Sequence, residues 1–589
     1  MLSSPGFSRN DRQSQFLRFL VERHLEGREN ELKESVIAVE VFCRDPGYDP
    51  KLDGIVRTEA MRLRARLDKY YAAEGSRDPL VIELPKGAYR PSFRELIPAR
   101  PIQKSRSGWI RWAAAGLVVA AIATTATWWW ARSGSAPVTV AVLPFENQGL
   151  DPASDYFADG LTDEIIRDLS IIDGLTVPSR TSSFAVKGKG LNASEAGRQL
   201  DADYLLEGSV LHAGDQLRVT VALVRVDDGF RLWSERFDRK LTDVFAIQDE
   251  ISRGIVNTLR LKLRSGRRRY ETNLEAYDLY LRGRSIMASF PAPGGRPIAK
   301  SAIDYFEQAI AKDPNYALAY AGMADAFLAI ERNVVSKQPL GAAAFPRAKA
   351  AAERAVELDP MLSEAQSAMA SVRAREYAWQ EAERGFRDAI ELNPNNALAH
   401  LQLGASVLVV QERFDEGLGE VRRAVALDPL SPYANTEAGA ALLLAGRYTE
   451  ANEQLQKAIT LDASRNRPYD LMARALYMQG KTADALAMFE TIIKRGGSPG
   501  WQVCVEVRAG RQDKAVAILQ ERLSAGTPSR DLAHTYACLG DAEHALEYLE
   551  RALEQRQAGL AEIIQSPELA WMRPNPRFAA LRQKLNLAP

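Results

Sequence analysis

The chain has 589 residues, 46% hydrophobic and 26% charged, ordinary globular values that exclude a mainly disordered, collagenous or polytopic membrane protein, and its length calls for several domains. Its 76 basic residues cancel its 76 acidic ones, so net charge points to no partner. Three cysteines (Cys43, Cys504, Cys538) and five scattered histidines exclude a disulfide framework, and no metal or cofactor site is expected from their spacing.

The cancellation hides a division. Residues 1–111 hold 21 basic against 16 acidic residues, a surplus of five. RQSQFLRFLVERHLEG predicts an amphipathic helix with Phe16, Phe19 and Leu20 on one face, and LKESVIAVEVF predicts a second helix ending before Asp45-Pro46. After a turn containing Pro and Gly comes IVRTEAMRLRARLDKYY. There Val56, Ala60, Leu63, Leu67 and Tyr70 recur every three or four residues as one buried stripe. Thr58, Arg62, Ala65 and Lys69 fall opposite, flanked by Arg57, Arg64 and Arg66. PLVIELPKGAYRPSF then alternates as a hairpin with a basic tip at Pro85-Lys86-Gly87.

Ile55-Val56, the run Arg62-Leu63-Arg64-Ala65-Arg66-Leu67 and Gly87-Ala88-Tyr89 resemble the OmpR-type winged-helix DNA-binding domain over roughly residues 10–94. The family's small N-terminal sheet has no counterpart in this chain. The resemblance implies a winged helix-turn-helix over residues 1–94 with its third helix in the major groove. Arg57, Thr58, Arg62, Arg64 and Lys69 would then meet bases or phosphates, and Lys86 and Arg90 the neighbouring backbone or minor groove. The alternative is a solvated basic helix lying against an anionic membrane.

A basic linker, residues 95–111, leads into twenty residues without a charge, Trp112–Ala131. Such a helix spans about 30 Å, the thickness of a bilayer's hydrocarbon, and Trp112 and Trp128–Trp130 stand where interfacial aromatics belong. Arg100, Lys104, Arg106 and Arg111 precede the run, whereas only Arg132 occurs in the twenty residues after it. The charge bias predicts a single transmembrane helix with the N-terminus in the cytoplasm of a bacterial inner membrane and the remainder outside.

Residues 136–265 alternate strand and helix patterns and end in three strands joined at Gly214-Asp215 and Asp227-Asp228-Gly229. Leu143-Pro144-Phe145, Tyr156–Glu164, Leu206–Ser209 and Leu232–Glu235 resemble the TolB-like or FlgO-like α/β domain, which is a binding or assembly module. Asp159, Asp163 and Glu164 are expected to cap the start of a helix, where carboxylates meet free N–H groups. Lys187-Gly188-Lys189-Gly190 lacks the phosphate-cradling spacing and is expected to be a loop.

Residues 270–589 repeat. Asp-Pro or its equivalent recurs at Pro314, Pro360, Pro394, Pro429 and then Ala463, at intervals of 46, 34, 35 and 34. Small residues stay in phase: Ala309, Ala355, Ala389, Ala424 and Ala458 five before each point, and Ala324, Ala370, Gly404, Gly439 and Ala473 ten after. This is the pattern of tetratricopeptide repeats, and the chain resembles that family over roughly residues 270–555, about eight helix pairs. The twelve extra residues near NVVSKQPLGAAAF are expected to be a loop, and SPELAWMRPNPRFAALRQKLNL to cap the last apolar face. Cys504 and Cys538 are expected to be separate packed thiols, since the sequence does not bring their Cα atoms within the roughly 7 Å that a disulfide requires.

The expected fold is therefore multidomain: a winged helix, one transmembrane helix, a TolB-like α/β domain and an all-α repeat superhelix. The expected function is a membrane-anchored one-component transcriptional regulator. It would bind DNA inside as a homodimer and sense a protein or peptide partner outside. The alternative is an envelope assembly scaffold that does not bind DNA. Chains of this layout are sometimes grouped with adenylate cyclases, but no cyclase segment, nucleophile triad or metal set is visible and no enzyme is expected.

Overall fold

A computed structural model describes residues 7, 11–28, 31–42, 44–45, 55–72, 75, 78, 80–85, 88–95, 138–149, 155–172, 174–259, 273–288, 295–333, 339–496 and 500–588. The apolar run 112–131, most of the linker before it, Cys43 and Lys86 lie outside these residues, as do the side chains of Thr58 and Lys69. Among the described residues no helix is long and apolar enough to cross a membrane. The chain separates into two compact units, residues 1–132 and 133–589.

In the first unit the helices are α1 (Asp11–Leu25), α2 (Glu34–Glu40) and α3 (Ile55–Ala72), and β1 (Leu80–Glu83) pairs antiparallel with β2 (Ser92–Glu95). The order is that expected from the sequence. The α3 stripe Val56, Ala60, Leu63, Leu67 and Tyr70 is buried against Phe16, Leu17 and Leu20 of α1 and Ile37 and Ala38 of α2. Leu17 takes the core position expected of Phe19, which is only partly buried. About a dozen apolar side chains removed from water give this small unit a core of its own.

The second unit begins with a six-stranded mixed sheet. Its strands are β3 (Val138–Val142), β4 (Glu146–Asn147), β5 (Leu175–Thr176), β6 (Tyr204–Ala213), β7 (Gln216–Arg225) and β8 (Arg231–Lys240). The order is β5-β3-β6-β7-β8, with β4 also on β6; β3 runs parallel to β5 and β6, and β6-β7-β8 form the expected antiparallel meander. Its helices are α4 (Asp155–Ser170), α5 (Arg180–Phe184), α6 (Ala193–Gln199) and α7 (Val244–Leu259). Leu217, Val219 and Val221 alternate into the core with α4 and α7, whereas Leu205 and Val226 point to the other face against Ala196 and Leu200 of the α6 segment. Asn192 and Glu195 close a capping box at the start of α6.

Eight helix pairs follow among the described residues, from Leu274–Ala288 (α8) with Gly295–Lys312 to Ser529–Cys538 with Ala542–Glu554. The phased small residues are buried, as expected. A Cβ added at Gly439 would sit 2.5 Å from Leu455 Cγ, so the two helices of that repeat meet too closely for any side chain. The expected loop in the second pair is largely helix instead. Pro339–Leu358 runs for 20 residues through the Ala-rich segment, where helix propensity is high.

The sheet domain and the repeats are not separate bodies. One hydrophobic cluster runs from Val140 and Leu206 through Leu161 and Ile165 of α4 to Tyr277, Leu281, Phe306 and Leu362 of the repeats. Gly160 makes this contact close: a Cβ there would lie 2.5 Å from Leu281 Cδ1.

Candidate functional site

The first candidate is the outer face of α3. Arg57 and Arg62 are exposed, with side chains 59% and 65% accessible. Each is oriented by a carboxylate: Arg57 pairs with Glu34 at the start of α2 (2.9 Å), and Arg62 with the buried Glu59 one turn back (2.8 Å). Glu59 is itself held by the buried Gln13 of α1. Arg64 is used differently. It donates to the carbonyls of Leu84 (2.9 Å), Pro85 (3.0 Å) and Ala88 (3.0 Å), clamping the ribbon turn to α3. Arg90 is exposed on the ribbon segment. The structure thus places Arg57, Arg62 and Arg90 at the surface and gives Arg64 an internal role, while the side chains of Thr58, Lys69 and Lys86 lie outside the description.

The second candidate is the junction between α4 and α8, which the sequence reading misplaced. Asp159, Asp163 and Glu164 do not cap a helix start, because α4 begins at Asp155 and carries them further along, past its first turn. Asp159 pairs with Lys187 of the glycine-containing loop. Asp163 is buried, accepts two hydrogen bonds from Arg284 of α8 (3.0 and 3.2 Å) and lies 3.7 Å from Arg180. Burial acts to raise the Asp163 carboxyl, yet Arg284 and Arg180 together hold it below its ordinary range. Tyr156 donates to Asp278 (2.6 Å) and accepts from Arg282 (2.8 Å), and Gln248 of α7 donates to the Tyr277 hydroxyl (2.9 Å), so polar contacts fasten α8 from two sides.

Glu164 faces the same interior and pairs with Arg167. Burial pushes its carboxyl up to about 8, opposed by Arg167 and reinforced by Asp168 and Asp163. The folded chain therefore takes up this proton more readily than the unfolded chain. Glu164's contribution to stability is complete below the ordinary value of 4.5 and is lost as the pH climbs to about 8. The urea midpoint of the second unit should fall across that window in the parent chain. Glu164→Gln should flatten the fall, and an unchanged slope would exclude Glu164 as its source.

The third candidate is the docking of repeat turns on the sheet domain. Asn395, in the turn after Asn393-Pro394, donates to the carbonyls of Ser170 (2.7 Å) and Leu175 (3.0 Å) and accepts from Val177 N (3.3 Å). Asn393 donates to Ser170 Oγ (2.9 Å). One repeat later, Asp428 accepts from the backbone N–H (3.0 Å) and hydroxyl (2.6 Å) of Ser182, whose oxygen accepts from Leu430 N (2.9 Å). All of these side chains are buried.

The array also closes on itself. Beyond capping the last pair, the C-terminal segment returns to the third and fourth pairs. Trp379 Nε1 donates to Leu585 O (2.8 Å), Gln565 to Val410 O (2.7 Å) and Asn586 to Tyr377 O (3.0 Å). Arg573 pairs with Glu412 (2.7 Å), and Arg474 of the sixth pair meets Glu568 (3.1 Å) with both side chains buried. Cys504 and Cys538, expected to be apart, are joined as a disulfide with Cα atoms 4.7 Å apart. The expectation failed because the first helices of neighbouring pairs lie side by side, close enough to join the cysteines even though the repeat shortens here, with turn glycines Gly480, Gly510 and Gly540 recurring every 30 residues. Cys504 thus lies opposite His534, with Cys538 one helical turn further along.

Arg284, Asn393, Asn395 and Asp428, which make the buried contacts of the α4–α8 junction and of the docked turns, were not singled out in the sequence. Comparison with known proteins fits the two-part second unit. Residues 136–253 match the family described as HilA/YgeH-like transcriptional regulator, second domain, and residues 403–469 match the tetratricopeptide repeat. A protein of Rhizobium meliloti (strain 1021) named putative adenylate cyclase 3 is 41% identical over 190 residues, which cover 31% of this chain and 32% of that protein. This chain therefore spans about a third of the length of that relative. Among solved structures it is similar to YrrB, a TPR protein with an unusual peptide-binding site (23% identity, TM-score 0.24, 32% of this chain and 91% of that one). It is also similar to the type IV pilus biogenesis factor PilW (17% identity, TM-score 0.30, 38% and 93%). The chain thus joins a domain like that of a transcriptional regulator to a tetratricopeptide array, a repeat that generally binds protein or peptide partners.

Proposed function

We propose that this chain is a membrane-anchored, non-enzymatic transcriptional regulator whose first unit binds DNA and whose second unit binds a protein or peptide partner. The observation that carries this reading is the pairing of two features. One is a three-helix unit with a ribbon that presents Arg57 and Arg62 on one helix. The other is a domain similar to the second domain of HilA/YgeH-like transcriptional regulators. The uncharged run 112–131 and the basic residues before it support a single span with the N-terminus inside. In this reading α3 enters the major groove, Arg57 and Arg62 meet phosphates or base edges, and Arg64 acts by holding the ribbon in place. Two protomers are needed to address half-sites one DNA turn apart, and partner binding on the second unit would bias their pairing.

Genome-wide DNA capture with the full-length chain tests this, with Arg62→Ala as the control. Discrete peaks that weaken or vanish in the variant are the expected result; an empty capture for the parent chain would end the reading. A scaffold remains the second reading, favoured by the carboxylates Glu34 and Glu59 that already engage Arg57 and Arg62. Deleting residues 1–94 separates the two. A scaffold keeps its phenotype without them, whereas a regulator loses all transcriptional effect.

A further inference from the structure

We propose that Cys504 and Cys538 form a reversible disulfide that locks the closed turn of the repeat array and is opened by a dithiol reductant. Three observations carry it. The two cysteines sit on the first helices of neighbouring pairs, Gln502–Arg508 and Ser529–Cys538, and their Cα separation of 4.7 Å lies within the range a disulfide needs. His534, one turn before Cys538, lies against both sulfurs (3.6 to 3.8 Å), and burial together with Arg474 and Arg522 holds its imidazole well below the usual range. The pair is also joined to the closure by direct contacts. The His534 ring packs on Trp501 with centroids 3.2 Å apart, the Arg474 guanidinium covers Trp501 at 3.3 Å, and Arg474 meets Glu568 of the returning C-terminal segment.

Cys504 is buried and Cys538 only partly so, which makes Cys538 Sγ the sulfur open to attack. A thiolate of the dithiol attacks it, breaking the bond to Cys504, which leaves as a thiolate while a mixed disulfide forms on Cys538. The reductant's second thiol then attacks that mixed disulfide and releases Cys538. Two electrons pass from the dithiol to the protein, the dithiol becomes a disulfide, and its two protons end on Cys504 and Cys538. Reduction frees Cys504 from the position opposite His534 and loosens the Trp501–Arg474–Glu568 stack. Membrane topology sets only the resting state, disulfide in an oxidising compartment and dithiol in a reducing one.

The test uses full-length protein purified without reductant and then treated with oxidised glutathione, so that either resting state starts oxidised. Maleimide labelling after denaturation should add one label, on Cys43, and three after dithiothreitol. Hydrogen exchange over residues 560–588 and 375–412 should become about tenfold faster or more on reduction and return on reoxidation. Cys504→Ser with Cys538→Ser should exchange at the fast rate with or without reductant. Three labels before reduction would overturn the proposal, as would exchange indifferent to reduction, or stoichiometric zinc that protects both sulfurs.

Discussion

Replacing Arg284 with alanine should destabilise the second unit by about 3 kcal/mol, because it leaves the Asp163 carboxylate buried with only the weaker attraction of Arg180 and Arg167. The figure is at the low end for a broken buried pair, since the Arg284 side chain is 35% accessible and Arg180 remains 3.7 Å from Asp163. The opposite combination sharpens the test. Asp163→Asn with Arg284→Met removes both charges and should recover part of the loss, the remainder being the buried Arg180 left with only Asp159 as counter-charge. Urea midpoints for the three proteins decide it. A single variant within about 1 kcal/mol of the parent would mean that this pair does not fasten α8 to α4.

Asn395→Ala should cost a comparable amount by another route. The Asn395 side chain satisfies the carbonyls of Ser170 and Leu175 and the N–H of Val177, all at the buried junction of sheet and array. Alanine leaves these backbone groups without that partner, and each group left unsatisfied costs about 1–3 kcal/mol. A loss of about 3 kcal/mol is expected. Adding Asp428→Ala removes the partner of Ser182 one repeat later. Calorimetry of the second unit alone should then show two transitions in that double variant and one in the parent, as the sheet domain and the array melt separately. A single cooperative transition in the double variant would show that the shared apolar cluster alone unites them.

These two contacts mark where the sequence stopped being informative. Local periodicity was legible. The stripe from Val56 to Tyr70 and the alanines phased five residues before each repeat turn are buried as read, because a 3.6-residue period and a 34-residue period each follow from one local geometry. The meander was legible for the same reason, since its turn residues bound strands of period two. Asn395 and Asp428 were not, because asparagine and aspartate are also ordinary turn residues, and nothing in their spacing separates a turn from a turn that docks. Asp163 and Glu164 were given a capping role as a cluster of carboxylates near a helix start, but they stand two turns inside a helix that begins at Asp155, and there they face the core. The cysteine pair was hidden by the repeat itself, whose shortening to 30 residues set Cys504 opposite His534 instead of Cys538. The net charge of zero was misleading in a similar way, since a surplus of five basic residues precedes the apolar run.

Whether the first unit binds DNA is decided by duplex titration of residues 1–104 in isolation. That unit has a core of its own and carries Arg57 and Arg62 at its surface. Duplex affinity should fall linearly, on logarithmic scales, with salt concentration, and Arg62→Ala should lower it and reduce the slope by about 1. No duplex binding at about 50 mM salt, where phosphate contacts are strongest, would contradict this reading.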